Sequence, residues 1–454
     1  MKRALQWEIV RALSVGGMSP ESTERLREFG ARDWMDCLPW LRLSSLELLL
    51  VERMKTSNCA HVIPSGLSPV LDEDAALNRQ RLAAMKQEFE SLLGLMKASG
   101  APYAVLKGFS LVPDYCPAPQ FRNQYDFDFL ISAAGLPRVD ALLRNAGFIR
   151  KYPESPVRPV VYHHAQRIPH PPSTLAGIFS PDLHRSLEVH TQLWESGTEG
   201  LGVNWPGDPL SRLIQKDWEG LIFPVLAAED ALLFQVLHTF RHILNNWCRL
   251  SWFHEIAVLL QRRSGDETFW MDFRRLVQGQ ERLCQCVGIV FQLASRLFDA
   301  EVPHAIRPFT SGTITPAMAL WVERYGIRSA MQNFSNDKCS LLLHELFVED
   351  TAAWSRIRSH RLFPRHKPHT VVSLEGSHGP RLWPARFKQA LHALRRMRFH
   401  LIAGLKYMGA LPLWAIETRP SPRSSRIEIP RPASWGTQAS LVRERVVHTR
   451  KADV

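Results

Sequence analysis

The segment YDFDFLI, Tyr125 to Ile131, is the most informative part of the chain for its fold. Acidic and apolar residues alternate at its start and its end is wholly apolar, which predicts a half-buried β-strand. Because side chains alternate along a strand, Asp126 and Asp128 should project from one face while the two phenylalanines fill the other. The segment therefore predicts a pair of carboxylates on one side of a sheet.

The surrounding sequence predicts a small α/β unit over about residues 101–195. Tyr103 to Leu106 is a short apolar run typical of a strand, and Gly108 then opens a turn or a helix. Residues 136–145 have helical spacing. Further strands are predicted from residue 147, over 159–166 and over 187–192, with a long Pro-rich loop between the last two.

Helices are predicted on both sides of this unit. Short helices precede Met54, and Asp74 to Ser99 is a strongly amphipathic helix that ends before Gly100. After Ala227, roughly six segments have helical periodicity. We therefore expect an α+β protein whose small mixed-sheet core is flanked by N-terminal helices and a C-terminal helical region. The expected divisions are an N-terminal helical segment (1–75), the core (76–220), a helical domain (221–412) and a basic, disordered tail (413–454).

Composition gives weaker indications of function. The 454 residues have a net charge of +12, which favours polyanionic partners such as nucleic acid, nucleotides or acidic lipid, although solubility explains the charge equally well. The seven cysteines lack paired CxxC spacing, so reduced thiols are expected rather than a zinc framework. No secretory signal is predicted.

The late apolar run from Leu401 to Ile416 bears on location. It contains Lys406 and Pro412 and is too short to span a bilayer, so we expect no transmembrane segment and a cytoplasmic protein. The basic helix predicted over Phe387 to Tyr407 either lies on a membrane or RNA, or packs on the domain with solvated arginines.

The paired carboxylates of Asp126 and Asp128 suggest a cation site. Two carboxylates that face the same way repel each other unless a cation lies between them, and Mg²⁺ prefers oxygen ligands. Mn²⁺ is the other candidate. A two-metal site usually needs a third carboxylate, and Glu188 is the best candidate because it lies on a later predicted strand. The alternative is an acidic face that is merely solvated.

The turn Lys107-Gly108-Phe109-Ser110 lies at the end of the preceding strand. A glycine there allows backbone N–H groups to approach a phosphate, and a following helix N-terminus adds a favourable dipole. Lys107 and Ser110 could add a charge and a hydroxyl. The turn and the carboxylates together are consistent with a metal–triphosphate site.

These residues resemble a family of largely uncharacterised nucleotidyltransferases in the polymerase-β-like superfamily. The resemblance rests on Val105-Leu106-Lys107-Gly108, then Leu111, Tyr115 and Arg122, then the strand from Asp126 to Ile131. It continues in Leu187-Glu188-Val189-His190, in Ala227 to Asp230 with His238 and His242, and in Glu255 as the family's later acidic residue.

The resemblance implies a function and a set of site residues. Asp126, Asp128 and Glu188 would bind Mg²⁺ and form the catalytic set, with Glu188 helping to deprotonate an acceptor hydroxyl. Gly108 and Ser110 would hold the triphosphate of an NTP such as ATP. The acceptor would attack the α-phosphate and release pyrophosphate; it is left open as a small molecule, a polymer end or a protein.

Several assignments have two interpretations. Lys107 either contacts phosphate or is an ordinary strand-end lysine, and Arg122 either contacts phosphate or holds its loop to a carboxylate. His190 is more often a supporting or packed histidine than a catalytic one, and His238 and His242 are more often structural than metal ligands. Two alternatives to an active enzyme remain: an inactive nucleotide- or partner-binding protein of the same fold, and a nucleic-acid-binding adaptor that uses its basic tail.

Overall fold

Seven strands form one mixed sheet in the part of the chain that the structure describes. The structure, a computed structural model, describes residues 2–151, 159–165, 176–182, 185–194, 199–332, 337–364 and 382–419. Helices precede and follow the sheet in the chain, so the predicted α+β class is confirmed.

The strands run in the order β3-β4-β5-β2-β1-β7-β6 across the sheet. They are β1 (Tyr103–Val105), β2 (Asp126–Ile131), β3 (Phe148–Arg150), β4 (Val160–His164), β5 (Ser186–His190), β6 (Ile214–Trp218) and β7 (Leu221–Val225). β2 pairs in parallel with β5 and antiparallel with β1, so the predicted carboxylate strand lies near the middle of the sheet.

Five α-helices precede the sheet in the described part of the chain, and the last of them packs against it. They are α1 (Lys2–Ala12), α2 (Pro20–Arg27), α3 (Ala31–Leu43), α4 (Glu47–Thr56) and α5 (Ser68–Ala98), and α6 (Leu136–Asn145) follows β2. Phe89 of α5 packs against Phe127 and Phe129 of β2, with ring centroids 6.1 and 6.3 Å away. This aromatic layer fills one face of β2 and leaves the other face to the aspartates.

The C-terminal region is helical, as predicted. Its helices are α7 (Ala228–Leu244), α8 (Leu250–Arg262), α9 (Glu267–Val277), α10 (Glu281–Phe298), α11 (Arg307–Thr313), α12 (Pro316–Trp321), α13 (Ile327–Met331), α14 (Ser340–Glu345), α15 (Thr351–Leu362) and α16 (Leu382–Glu417). Most of them share one large apolar core with α1 to α4.

Two elements differ from the sequence-based expectation. The hairpin of β6 and β7 was not predicted, because the IQKDW segment of β6 is mostly exposed and lacks an apolar alternation. The helix predicted from Asp74 begins earlier, at Ser68. The expected disordered tail lies outside the described residues from 420 onward, and α16 continues to Glu417.

α16 is longer than the apolar run within it. Gln389–Glu417 is long and apolar enough to cross a bilayer by length and composition alone. The expectation of no transmembrane segment rested on the shorter run from Leu401 to Ile416.

Candidate active site

The parallel pairing of β2 and β5 brings the predicted carboxylates onto neighbouring strands. Asp128 lies directly opposite Glu188, and Asp126 lies opposite Ser186. Side chains two residues apart on a strand share a face, so the two aspartates, Glu188 and His190 all belong to one face. Phe127, on the other face of β2, is buried in the aromatic layer.

Asp128 is the best-connected residue of this group. Its Oδ1 accepts hydrogen bonds from Lys107 Nζ at 2.9 Å and from His190 Nε2 at 3.1 Å. The side chain is almost completely buried, and its second oxygen, Oδ2, has no hydrogen-bond partner among the residues that the structure describes. A buried carboxylate oxygen without a partner is costly, so this atom suits a ligand that the protein does not itself provide.

Asp128, Glu188 and His190 form a group that could hold a metal ion. Their ligand atoms all lie within 4.8 Å of one another. His190 Nε2 is also 3.8 Å from Glu188 Oε2. His190 acts as a hydrogen-bond donor or as a ligand according to which ring nitrogen carries the proton. The donor set of two carboxylates and one imidazole fits a divalent cation.

The pKa values of the three carboxyls are spread apart. Burial, followed by the charges of Asp128 and Asp126, raises the pKa of Glu188 to about 8. Burial, followed by the Asp128 charge, raises the pKa of Asp126. Burial opposes ionisation of Asp128 too, but Lys107 and the hydrogen bond from His190 outweigh it and lower its pKa. The site therefore holds one firmly ionised carboxylate beside two that are crowded by negative charge.

The Lys107 ammonium supplies a positive charge beside the carboxylates of the site. Burial would lower the pKa of its ammonium, but Asp128, Asp126 and Glu188 outweigh burial and raise it. The ammonium therefore balances the carboxylates in the structure. In the structure, Lys107 contacts the carboxylate of Asp128. Its contact with a phosphate stays a prediction.

The turn at Gly108 is tighter than the sequence suggests. Gly108 has φ +66° and begins a single 3₁₀ turn, Gly108–Leu111, rather than a longer helix. The Gln124 side chain, whose Nε2 donates to Asp126 O at 3.0 Å, occupies the space where a Cβ of residue 108 would lie. The Ser110 hydroxyl donates to backbone oxygens of Leu106 and Lys107 in the same turn. A triphosphate contact by Ser110 thus requires this hydroxyl to turn outward.

Arg122 holds the loop before β2 to the helical region. Its Nε donates to Glu255 Oε1 of α8 at 2.7 Å, and both side chains are largely buried. Arg249 lies over the Tyr125 ring, 4.7 Å from its centroid, and its charge opposes the rise in the pKa of Asp126. Neither Arg249 nor Gln124 belongs to a motif that the sequence makes recognisable, and only the adjacency of Gln124 to the acidic strand points to it.

His238 and His242 pack among aromatic rings. Their centroids are 4.6 Å apart, and Trp252 lies 4.9 and 4.4 Å from them. Burial, followed by the charge of Lys107, lowers the pKa of both imidazoles, which keeps them neutral. Neither belongs to a possible metal-binding group among the described residues, which agrees with the structural interpretation.

The chain matches the model of a known protein family. A family model described as "Uncharacterised nucleotidyltransferase" matches residues 30–299, more than half of the chain. No curated protein and no solved structure matches. The matched region contains the whole sheet, α3 to α10 and every residue of the carboxylate site.

Proposed function

Since the chain belongs to this uncharacterised nucleotidyltransferase family, we propose that it transfers an NMP from an NTP to an acceptor and releases pyrophosphate. The observation that carries the proposal is the register of Asp128 against Glu188, which places a second carboxylate beside an Asp128 Oδ2 that has no partner in the described part of the chain. Nucleotidyl transfer needs such a set of oxygen ligands on one rigid surface.

In the proposed reaction, an acceptor oxygen attacks the α-phosphorus and forms the new P–O bond. The P–O bond to the bridging oxygen breaks, pyrophosphate leaves, and the acceptor proton passes to Glu188 or to solvent. Asp126, Asp128 and Glu188 would hold Mg²⁺, with Mn²⁺ as a substitute. The bound cation would neutralise charge on the triphosphate as the leaving group departs.

The remaining residues would position the nucleotide. Lys107 is within hydrogen-bonding distance of Asp128 and could exchange this contact for a phosphate oxygen once the carboxylates ligate a cation. We assign the triphosphate to the turn of Gly108 and Ser110, with Arg122 beside it. ATP is the NTP that we would test first, and the cytoplasm is the proposed compartment.

Transfer can be tested directly with nucleotides labelled at different phosphates. The full chain is incubated with Mg²⁺, cell extract as the acceptor source, and ATP labelled at the α- or the γ-phosphate. We expect transfer of the α-label alone, because phosphoryl transfer would move the γ-label instead. Asp128→Asn should abolish transfer.

Asp272→Asn is the matched control. Asp272 is a partly exposed aspartate of α9 that contacts Arg275, and it lies far along the chain from Asp126, Asp128 and Glu188. Transfer by this variant should equal that of the wild type. If Asp128→Asn transferred the label as well as the wild type does, the site assignment would be contradicted. If neither the wild type nor Asp128→Asn transferred the label while both still bound nucleotide, the inactive-binder alternative would be favoured.

A further inference from the structure

α16 presents an apolar stripe to solvent. Five of its apolar residues follow one another at spacings of three or four positions, and each is more than half exposed: Leu394, Met397, Leu401, Leu405 and Met408. This spacing places them on one face of a helix, and the exposed Ile416 continues that face. From Leu394 to Ile416 the stripe is about 33 Å long at 1.5 Å per residue.

The opposite face of α16 is fixed to the protein. Ala403, Tyr407 and Trp414 are buried, and the two aromatic residues belong to the large helical core. At the C-terminal end, Glu417 forms an ion pair with Arg324. The orientation of the helix is therefore set by its packing, and the apolar stripe faces away from the domain.

Before Glu417, the charged residues of α16 are all basic. Between residues 382 and 416 there are six basic residues and no acidic one: Arg386, Lys388, Arg395, Arg396, Arg398 and Lys406. Arg395, Arg398 and Lys406 are exposed. At 100° per residue, Arg395 and Arg398 border the stripe on the same side. Neither arginine forms an ion pair with a residue that the structure describes.

We propose that α16 docks this protein on the surface of an anionic lipid bilayer. The apolar stripe would enter the boundary between headgroups and acyl chains, and the flanking arginines would contact lipid phosphates. An amphipathic helix with basic residues beside a continuous apolar face is the type that lies in this interface. Each basic residue near an anionic leaflet adds to the attraction.

Three other occupants fit the helix less well. RNA would use the arginines but not an apolar stripe of this length. A second copy, related by a two-fold axis, would bring the same unbalanced positive charges close together. A membrane span would surround the helix with lipid, which requires Tyr407 and Trp414 to leave the protein core.

Vesicle co-sedimentation of the full chain tests the proposal. One set of vesicles is phosphatidylcholine alone, and the other is an equimolar mixture with phosphatidylglycerol. We expect binding to the anionic vesicles only, weakened by salt. Leu401→Asp/Leu405→Asp should weaken binding by about tenfold or more, because it places two charges in the stripe.

A pair of methionine variants provides the matched control. Met408→Asp alters the stripe, while Met271→Asp alters a methionine of α9 with similar exposure, 49% against 56%. Only Met408→Asp should lose vesicle binding. Both replaced side chains are exposed, so thermal melting should confirm that both variants fold.

Four results with vesicles or with the lipid-free protein would overturn the proposal. They are absence of binding to anionic vesicles, unchanged binding by the Leu401/Leu405 variant, resistance of the bound protein to alkaline carbonate extraction, and lipid-free self-association that the stripe variants abolish. The second result would assign binding to another basic segment, the third would indicate a membrane span and the fourth a second copy. RNA binding that replaces vesicle binding would likewise contradict it.

Discussion

The Arg122 guanidinium donates to the Glu255 carboxylate at 2.7 Å, across 133 positions of the chain. The contact joins the loop that enters β2 to α8 of the helical region. Burial opposes the charge on Arg122, but Glu255 outweighs burial and raises the pKa of the guanidinium. The start of the carboxylate strand is therefore held by the helical region as well as by the sheet.

Removal of either partner should destabilise the protein. We expect Arg122→Met and Glu255→Gln each to lower the free energy of unfolding by ~3 kcal/mol, because each leaves a buried group unpaired. The double variant should cost less than the sum, with a coupling of roughly 2 kcal/mol in urea unfolding. An additive double variant would show that the pair does not hold the loop.

Divalent cations should stabilise the folded protein through the carboxylate site. At Mg²⁺ or Mn²⁺ concentrations about 100 times Kd, binding to the native state adds roughly 2.7 kcal/mol and raises Tm. Asp128→Asn should remove this increase, and Asp272→Asn should retain it. An equal increase in Tm for Asp128→Asn would place the cation elsewhere.

Gly108 should tolerate substitution less well than a glycine with the same backbone conformation and open surroundings. Gly279 has φ +80° and no atom of a described residue within 4 Å of the position of a Cβ, whereas a Cβ at Gly108 would clash with Gln124. Gly279→Ala should cost about 1 kcal/mol for the left-handed conformation. Gly108→Ala should cost roughly 3 kcal/mol, because overpacking adds to the same strain.

The clash can be tested by removing its partner. In chemical unfolding, Gln124→Ala should recover part of the loss in Gly108→Ala, since the methyl group would then have space. No recovery would mean that backbone strain alone accounts for the loss.

Glu47 should make stability depend on pH. Burial, followed by the neighbouring Asp74, raises the pKa of Glu47 from 4.5 to about 10, against the opposing charge of Arg42. The folded protein thus favours the protonated form. The stabilisation is complete below 4.5 and is lost as pH rises towards 10, at up to ~1.4 kcal/mol per pH unit.

Glu47→Gln should remove most of this slope, because glutamine resembles the protonated acid. The measurement is urea unfolding at several pH values between the two pKa values. Glu52→Gln, on the same helix, is the control and should retain the slope. If wild type and Glu47→Gln lose stability in parallel, another group is responsible.

Much of the carboxylate strand could be predicted from local sequence. The alternation around Asp126 and Asp128 fixes which residues share a face, and Glu188 and His190 follow the same rule on β5. Alternation within one strand does not determine which strand lies beside it or in which register. The pairing of Asp128 with Glu188 therefore required the structure.

Contacts made by long side chains also could not be predicted from the sequence. Lys107 precedes a glycine turn, which suggests a phosphate ligand, yet in the structure it reaches Asp128. The Gln124 side chain covers Gly108 because the loop before β2 folds back on the turn. The partner of Arg122, Glu255, lies on α8, 133 positions later in the chain, and no local sequence pattern indicates a contact over that separation.

The register of β5 has a consequence for how such proteins diversify. β5 is paired on both sides, with β2 and with β4, so hydrogen bonds to its neighbours fix where Glu188 lies. The position of Glu188 therefore does not depend on the length of the chain that joins β4 to β5. Insertions and deletions there would leave the spacing of the carboxylates unchanged, so the length of this connection can vary among proteins that keep the same strand pairing.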